Sequence, residues 1–121
     1  MLTGQTVLIV ESEFLIALDI QRCLETFGAA HTVFARNTAE VLDAIDRWPS
    51  FGLALVEVHH RHDEKTASLL RGLARAGVKL ILLTADTTLR RGHSDFPATP
   101  VVMKPFLEED LASALKQALT S

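Results

Sequence analysis

Four polar residues stand where apolar segments of the sequence end, and together they could form a site. They are Glu11, Glu57, Thr84 and Lys104, which carry two carboxylates, a hydroxyl and an ammonium group. Taken one at a time, polar residues at such positions usually meet water. Glu57 is the exception, because valines flank it on both sides and glutamate has a poor strand propensity. The four positions together therefore predict a charged site.

The elements that must position this site are strands and helices in alternation. Apolar, β-branched runs alternate with stretches of helical period, which is typical of βαβ units. The runs predict five strands, at residues 6–10, 31–35, 53–58, 78–83 and 100–103. Right-handed crossovers make such a sheet parallel, with helices on both faces. Ligands of open parallel sheets bind beyond the carboxyl ends of the strands, which is where the four polar residues stand.

Apolar residues at helical spacing predict helices between these strands. Ser12, Asn37 and Asp63 are the predicted N-caps of the first three helices. The predicted buried faces are Phe14, Ala17, Leu18, Leu24 and Phe27; then Val41, Leu42, Ile45 and Trp48; then Leu69, Leu70 and Leu73; and, in the last helix, Leu107, Leu111, Ala114, Leu115 and Ala118. Segment 85–99 has little periodicity, so the fourth helix is expected to be short or irregular.

Length and composition predict one domain that spans residues 1–121. The apolar fraction of 48% suits a chain with a sizeable core, and the net charge of −3 provides no basic field for nucleic acid. No apolar run approaches the about 20 residues of a membrane span, and the first residues do not resemble a signal peptide. The only cysteine, Cys23, has no partner for an internal disulfide. We therefore expect a cytoplasmic protein that binds neither nucleic acid nor membrane.

The sequence resembles the receiver domain of two-component response regulators. The resemblance covers about residues 5–119 and rests on four segments in order: VLIVESEFLIAL at 7–18, LALVEVHH at 53–60, LILLTAD at 80–86 and VVMKPF at 101–106. It implies an α/β, flavodoxin-like fold whose five-stranded parallel sheet has the order 2-1-3-4-5, with helices on both faces.

The resemblance also implies roles for the polar residues. In the receiver family, a phosphoryl group derived from a histidine kinase is transferred to an aspartate at the end of the third strand. An acidic pair after the first strand helps to hold Mg²⁺, a threonine or serine after the fourth strand contacts the phosphoryl oxygens, and a lysine pairs with the phosphate. Thr84 and Lys104 match the last two positions, and Glu11 matches the first acidic residue. Ser12 stands at the second acidic position, and Glu57 at the phosphoacceptor position.

These departures are expected to impair the usual chemistry. A hydroxyl at Ser12 should weaken Mg²⁺ binding, so we expect it to be weak or absent, with no other cofactor. Glutamate carries its carboxylate roughly 1.5 Å farther from the backbone than aspartate, and misplacement of that order can lower a rate by ~10²-fold. Val101 stands where the family usually has an aromatic switch residue. We hypothesise that Glu57 reaches toward Lys104 and Thr84 and partly imitates a phosphorylated aspartate. In the alternative interpretation, Glu57 is simply inactive and Ser12 only caps the helix.

The predicted function is that of a protein-interaction module, without enzymatic activity, in two-component signal transduction. Its expected partners are proteins, either a histidine kinase or a downstream effector, and a homodimer is compatible with the sequence. One alternative is a phosphorelay receiver with unorthodox phosphoacceptor chemistry. A second is a metal- or small-molecule-binding sensor, for which Glu11, Glu57 and His59 are weak candidate ligands. His59, His60 and His62 lie close together in the sequence but lack tight metal-ligand spacing. A solvated loop is therefore the preferred interpretation.

Overall fold

In the computed structural model, which describes residues 2–120, five strands form one parallel sheet in the order β2-β1-β3-β4-β5. The predicted fold class is therefore confirmed. The strands are β1 (Thr6–Val10), β2 (His31–Ala35), β3 (Phe51–Glu57), β4 (Lys79–Thr84) and β5 (Val101–Met103). The helices are α1 (Phe14–Thr26), α2 (Thr38–Asp43), α3 (Glu64–Arg75) and α4 (Glu108–Thr120). None of the described helices is long and apolar enough to span a membrane.

The sheet separates two apolar layers, because successive side chains of a strand point to opposite faces. Ala54 and Val56 of β3 pack in the layer that contains buried residues of α2 and α3. Leu53 and Leu55 pack in the opposite layer, with α1 and α4. Strand β3 thus has helices on both of its faces and a neighbouring strand on each side, so its carboxyl end lies at the centre of the sheet edge.

Two predicted helix faces contain errors at their first residues. Phe14 is 71% exposed and Leu107 is 62% exposed, although both were expected to be buried. Phe14 is the first residue of α1, whereas Leu107 precedes the first residue of α4. Phe14 lies off the row of α1 that covers the sheet, which consists of Ala17, Ile20 and Leu24, whereas Leu107 lies outside α4. The predicted buried faces of α1 and α4 were therefore too long, because they were inferred only from apolar residue type and spacing.

The second helix is shorter than its predicted apolar stripe. It ends at Asp43, and the chain continues as a 3₁₀ helix, Ile45–Ser50, that contains Pro49. Because proline lacks an N–H group and restricts the residue before it, the regular α-helix does not continue through this segment. Ile45 is consequently exposed, and Leu42 is exposed within α2 itself, where Val41 is the buried residue; both findings correct the predicted burial. Trp48 is buried as expected, and its Nε1 donates a hydrogen bond to the Val41 carbonyl at 2.9 Å.

The segment between β4 and β5 contains no α-helix among the described residues. A single 3₁₀ turn, Thr87–Leu89, takes its place, in agreement with the expected short or irregular helix. Asp86 begins this turn by accepting a hydrogen bond from the Thr88 N–H at 2.9 Å. Leu89 and His93 anchor the segment by burial, and the His93 ring packs edge-on against Phe96.

Candidate functional site

Three strands bring two carboxylates and an ammonium group together. Glu11 follows β1, Glu57 is the last residue of β3, and Lys104 follows β5. Because β1 and β3 are adjacent, their carboxyl ends place the two glutamates side by side. Lys104 reaches the same point from β5, and its backbone N–H donates to the Thr84 carbonyl at 2.8 Å, extending the strand pairing by one bond. The predicted convergence of these three residues is present in the structure.

The Lys104 ammonium group lies between the two carboxylates. Its Nζ donates to Glu57 Oε2 at 2.5 Å, to Glu11 Oε1 at 3.0 Å and to Glu11 Oε2 at 3.3 Å. The side chains of Lys104, Glu57 and Glu11 are only 10%, 9% and 0% exposed. An ammonium group has three hydrogens to donate. The described contacts therefore engage Lys104 with both glutamates at once.

The second oxygen of Glu57 is held by Ser12. Glu57 Oε1 accepts one hydrogen bond from the Ser12 backbone N–H at 3.0 Å and another from the Ser12 hydroxyl at 2.8 Å. Ser12 is consequently not the N-cap of α1, which corrects that prediction. The N-cap is Glu13, whose side chain makes no capping hydrogen bond. The hydroxyl turns away from the helix because a charged acceptor forms a stronger hydrogen bond than a neutral one.

Burial and ion pairing set the charges of the cluster. Burial raises the pKa of Glu11, with a further contribution from the neighbouring Glu57 carboxylate, and Lys104 only partly opposes the rise. Burial also acts to raise the pKa of Glu57, but hydrogen bonds from Lys104 and Ser12 outweigh it and lower the pKa. For Lys104, burial favours the neutral amine, but the two carboxylates raise its pKa. With all three groups ionised, the cluster has a net charge of −1.

Thr84 serves a different contact from the one expected. It is fully buried, and its hydroxyl donates to the Val58 carbonyl at 2.6 Å while accepting from the Asp86 N–H at 3.0 Å. The expected contact between Glu57 and Thr84 is therefore wrong, since the hydroxyl hydrogen is already used between the ends of β3 and β4. Val101, at the position of the family's aromatic switch residue, is half-buried and packs against the core.

The residues as they stand do not fit Mg²⁺, the metal that the receiver resemblance implies. Mg²⁺ requires near-octahedral oxygen coordination, with carboxylates available as ligands. Here both carboxylates accept hydrogen bonds from the Lys104 ammonium group, and Glu57 is also held by Ser12. Across residues 2–120, no group of three or more His, Cys, Asp or Glu side chains is arranged to hold a metal ion. His59 Nε2 lies 3.6 Å from Glu57 Oε1, but His60 and His62 are exposed.

A cleft beside the ion pair adds residues that the sequence did not single out. It has a volume of about 470 Å³, and its lining includes Glu13, Ala85 and Pro105 in addition to Glu57 and Lys104. Glu13 Oε2 lies 3.8 Å from the Lys104 ammonium group and is 63% exposed. The only sequence signal for Glu13 was its position two residues after Glu11, which was itself a predicted site residue.

Comparison with known proteins identifies the class. No protein-family model and no curated protein matches the chain. The BeF₃-activated conformation of SdrG from Pseudomonas melonis Fr1 has a TM-score of 0.77 and 27% sequence identity, with 98% of this chain and 99% of that chain covered. The REC domain of the PhyR response regulator from Erythrobacter litoralis has a TM-score of 0.71 and 25% identity, with 98% and 92% covered. A response regulator from Thermotoga maritima shares the fold, with a TM-score of 0.77, 24% identity and 97% and 98% covered.

The chain therefore has the fold of response-regulator receiver domains, the class predicted from its sequence. In this chain the last residue of β3 is a glutamate, Glu57, which forms an ion pair with Lys104.

Proposed function

We propose that this receiver domain acts as a protein-interaction module in two-component signal transduction and is not phosphorylated at Glu57. One observation carries the proposal: both carboxylate oxygens of Glu57 are already engaged. Lys104 holds one oxygen, and the backbone and hydroxyl of Ser12 hold the other. A carboxylate that attacks phosphorus needs a lone pair directed at the phosphoryl group. Each contact that fixes Glu57 elsewhere lowers its competence as a nucleophile, since phosphoryl transfer depends on positioning.

The charge of the site supports the same function. A dianionic phosphodonor would approach a cluster that already has a net charge of −1, and it would need a cation to offset the repulsion. The positive charge of Lys104 is already paired with Glu11 and Glu57, so it does not offset the charge of the phosphodonor. We propose that Mg²⁺ binding is weak or absent, because a divalent ion would have to displace this ammonium group from both carboxylates.

The ion pair also supports a fixed conformation of the domain. In the receiver family, the resemblance implies that the lysine pairs with the phosphate, a contact that exists only while the phosphoryl group is present. Here Glu57 supplies that partner at all times, and it links the ends of β3 and β5. The imitation is partial, because the Thr84 hydroxyl contacts Val58 and not Glu57. A histidine kinase or a downstream effector that binds this edge of the sheet would therefore meet a single conformation.

Intact-protein mass after incubation with acetyl phosphate and Mg²⁺ tests the proposal. The native chain and Glu57→Gln should gain no mass, whereas Glu57→Asp with Ser12→Asp should gain one phosphoryl group because it restores a shorter nucleophile and a second metal ligand. A native chain that gains a phosphoryl group on Glu57 would overturn the proposal. Failure of the double variant to react would show that more than these two positions prevents the chemistry, and it would contradict the role given to Glu57.

One contact favours a second candidate, a receiver with unorthodox phosphoacceptor chemistry. The exposed Ser12 hydroxyl donates to the Glu57 carboxylate at 2.8 Å, which is the arrangement of a nucleophile and its general base. In that reaction a bond would form between Ser12 Oγ and phosphorus, the acetyl phosphate P–O bond would break, acetate would leave, and the hydroxyl proton would pass to Glu57. A modification that disappears in Ser12→Ala and survives hydroxylamine, as a serine ester does and an acyl phosphate does not, would establish this candidate.

A further inference from the structure

One edge of the sheet has none of the features that usually protect an edge strand. Strand β2 pairs with β1 on one side and, among the described residues, with no strand on the other. Natural edge strands are commonly protected by lysine, proline, a bulge or a very short length. Strand β5, at the opposite edge, is only three residues long and follows Pro100. By contrast, β2 has five residues, HTVFA, and pairs with β1 without a register shift.

An apolar patch lies beside this edge. The Gln21 side chain of α1 donates to the Thr32 hydroxyl of β2 at 2.9 Å, which shows that Thr32 faces α1. Phe34 faces the same side, because strand side chains alternate. Since α1 runs antiparallel to β2, the residues that continue the Gln21 row toward Phe34 are Leu18 and Phe14, at helical spacing. Phe14 is 71% and Phe34 is 43% exposed. We name Phe14, Leu18 and Phe34 the β2 edge patch.

We propose that the β2 edge patch is the interface of a symmetric homodimer in which two copies pair their β2 strands antiparallel. A two-fold axis at Val33 would place Thr32 opposite Phe34 of the second copy. Directly opposed residues of an antiparallel pair lie on the same face, so α1 of each copy would lie on the same side of one continuous sheet. A rise of roughly 1.5 Å per helical residue and 3.3 Å per strand residue puts Leu18 beside the axis. The apolar residues would therefore occupy the centre of the interface.

The charges beside the edge suit a second copy. Glu25 is exposed and continues the Gln21 row past the start of β2, at about the level of Ala30. Arg36 directly follows the end of β2, and its side chain is 79% exposed. The proposed axis sets Arg36 opposite Ala30 of the second copy, so each Arg36 would face the Glu25 of the other copy. The Arg36 guanidinium group donates to Glu40 of α2, on the opposite face of the sheet from α1, so pairing with Glu25 of the second copy requires the Arg36 side chain to leave Glu40.

The area that the patch offers predicts a dimer of modest affinity. Fully burying a phenylalanine removes about 150–250 Å² from water, so the exposed parts of four rings supply roughly 450 Å². Stable interfaces bury about 1,200–2,000 Å² in total. The remainder would have to come from Leu18, the paired strands and the flanks of α1. We therefore expect association that depends on protein concentration.

Sedimentation velocity over a wide range of protein concentration tests the dimer. The native chain should convert from monomer to dimer, and Phe34→Lys should raise the dissociation constant by about 100-fold or more, which is roughly 2.8 kcal/mol. Leu107→Lys is the matched control, because Leu107 is 62% exposed but lies outside the edge. It should leave the association unchanged. Circular dichroism of both variants checks that they fold. A native chain that is monomeric at every concentration, or a dimer insensitive to Phe34→Lys, overturns the proposal.

A charge exchange tests the antiparallel register. Glu25→Arg should weaken the dimer by up to about 30-fold, because it removes two exposed ion pairs. Combining Glu25→Arg with Arg36→Glu should restore much of that loss. A double variant that associates no better than Glu25→Arg would overturn the register. These measurements do not depend on phosphorylation, so their outcome is independent of the function proposed for the Glu57 site.

Discussion

Replacing Lys104 by methionine removes the charge shared by two buried carboxylates while keeping an unbranched side chain. Glu11 is 0% exposed and Glu57 is 9% exposed at the side chain. Without the ammonium group, two carboxylates would face each other with little water between them. Breaking a buried ion pair by removing one partner typically destabilises a protein by about 3–5 kcal/mol.

Proton uptake limits how large this loss can become. Either carboxyl group can relieve the repulsion by binding a proton, and the ordinary pKa of a glutamate side chain is 4.5. At pH 7, holding one such group protonated costs about 3.4 kcal/mol, at 1.36 kcal/mol per pH unit above the pKa. We therefore expect Lys104→Met to lower the free energy of unfolding by about 3 kcal/mol at pH 7. At pH 5 the same relief costs only about 0.7 kcal/mol.

The assay is urea denaturation of both proteins at pH 7 and at pH 5. In Lys104→Met one carboxyl group has a folded-state pKa above its unfolded-state value, so its contribution to stability is lost as the pH rises through the folded-state pKa. The difference from the native chain should therefore shrink by roughly 2–3 kcal/mol between pH 7 and pH 5. Adding Glu57→Gln to Lys104→Met should recover most of the loss at pH 7. A difference below about 1 kcal/mol, or one that does not change with pH, would refute this account of the cluster.

Two further predictions concern the residues around this cluster. Thr84→Val should lower the free energy of unfolding by about 1–3 kcal/mol, because it leaves the Val58 carbonyl and the Asp86 N–H without their partner. Thr84→Ser should retain most of the stability in the same denaturation assay. Equal losses in both variants would contradict the hydrogen-bond explanation. Mg²⁺, Zn²⁺ and Ni²⁺ should not raise the thermal midpoint of the native chain, whereas a ligand at 100 times its Kd would stabilise it by about 2.7 kcal/mol. A Mg²⁺-dependent rise in Glu57→Asp with Ser12→Asp is the positive control, and a rise in the native chain would count against the proposed weak binding.

The sheet and the charge cluster could be predicted from sequence because both follow from long patterns. Continuous apolar runs mark strands that are covered on both faces, and their order along the chain leaves few topologies. Glu57 was conspicuous because a buried central strand seldom contains a carboxylate. Its contact with Lys104 followed from the fact that parallel strands end at the same edge of a sheet.

The errors arose where one residue had two competing uses. Ser12 has the residue type of a helix cap, whose hydroxyl would accept a hydrogen bond from a helix N–H. Its hydroxyl donates instead to the charged Glu57 carboxylate, which forms a stronger hydrogen bond. Thr84 stands at the expected position, yet the orientation of its hydroxyl depends on the Val58 carbonyl, which no sequence pattern reveals. Ile45 continues an apolar period, but the 3₁₀ segment that contains Pro49 changes its direction.

The bond between Lys104 and Glu11 joins residues 93 positions apart, and the bond to Glu57 joins residues 47 apart. Contacts of such long sequence separation require most of the sheet to be assembled first, because closing long loops has an entropic cost. We therefore expect the cluster to form after the transition state for folding. In stopped-flow experiments, Lys104→Met should then accelerate unfolding and leave the folding rate nearly unchanged. A slower folding rate would contradict this order. The cluster of Glu11, Glu57 and Lys104 would thus slow unfolding and set how long each molecule stays folded.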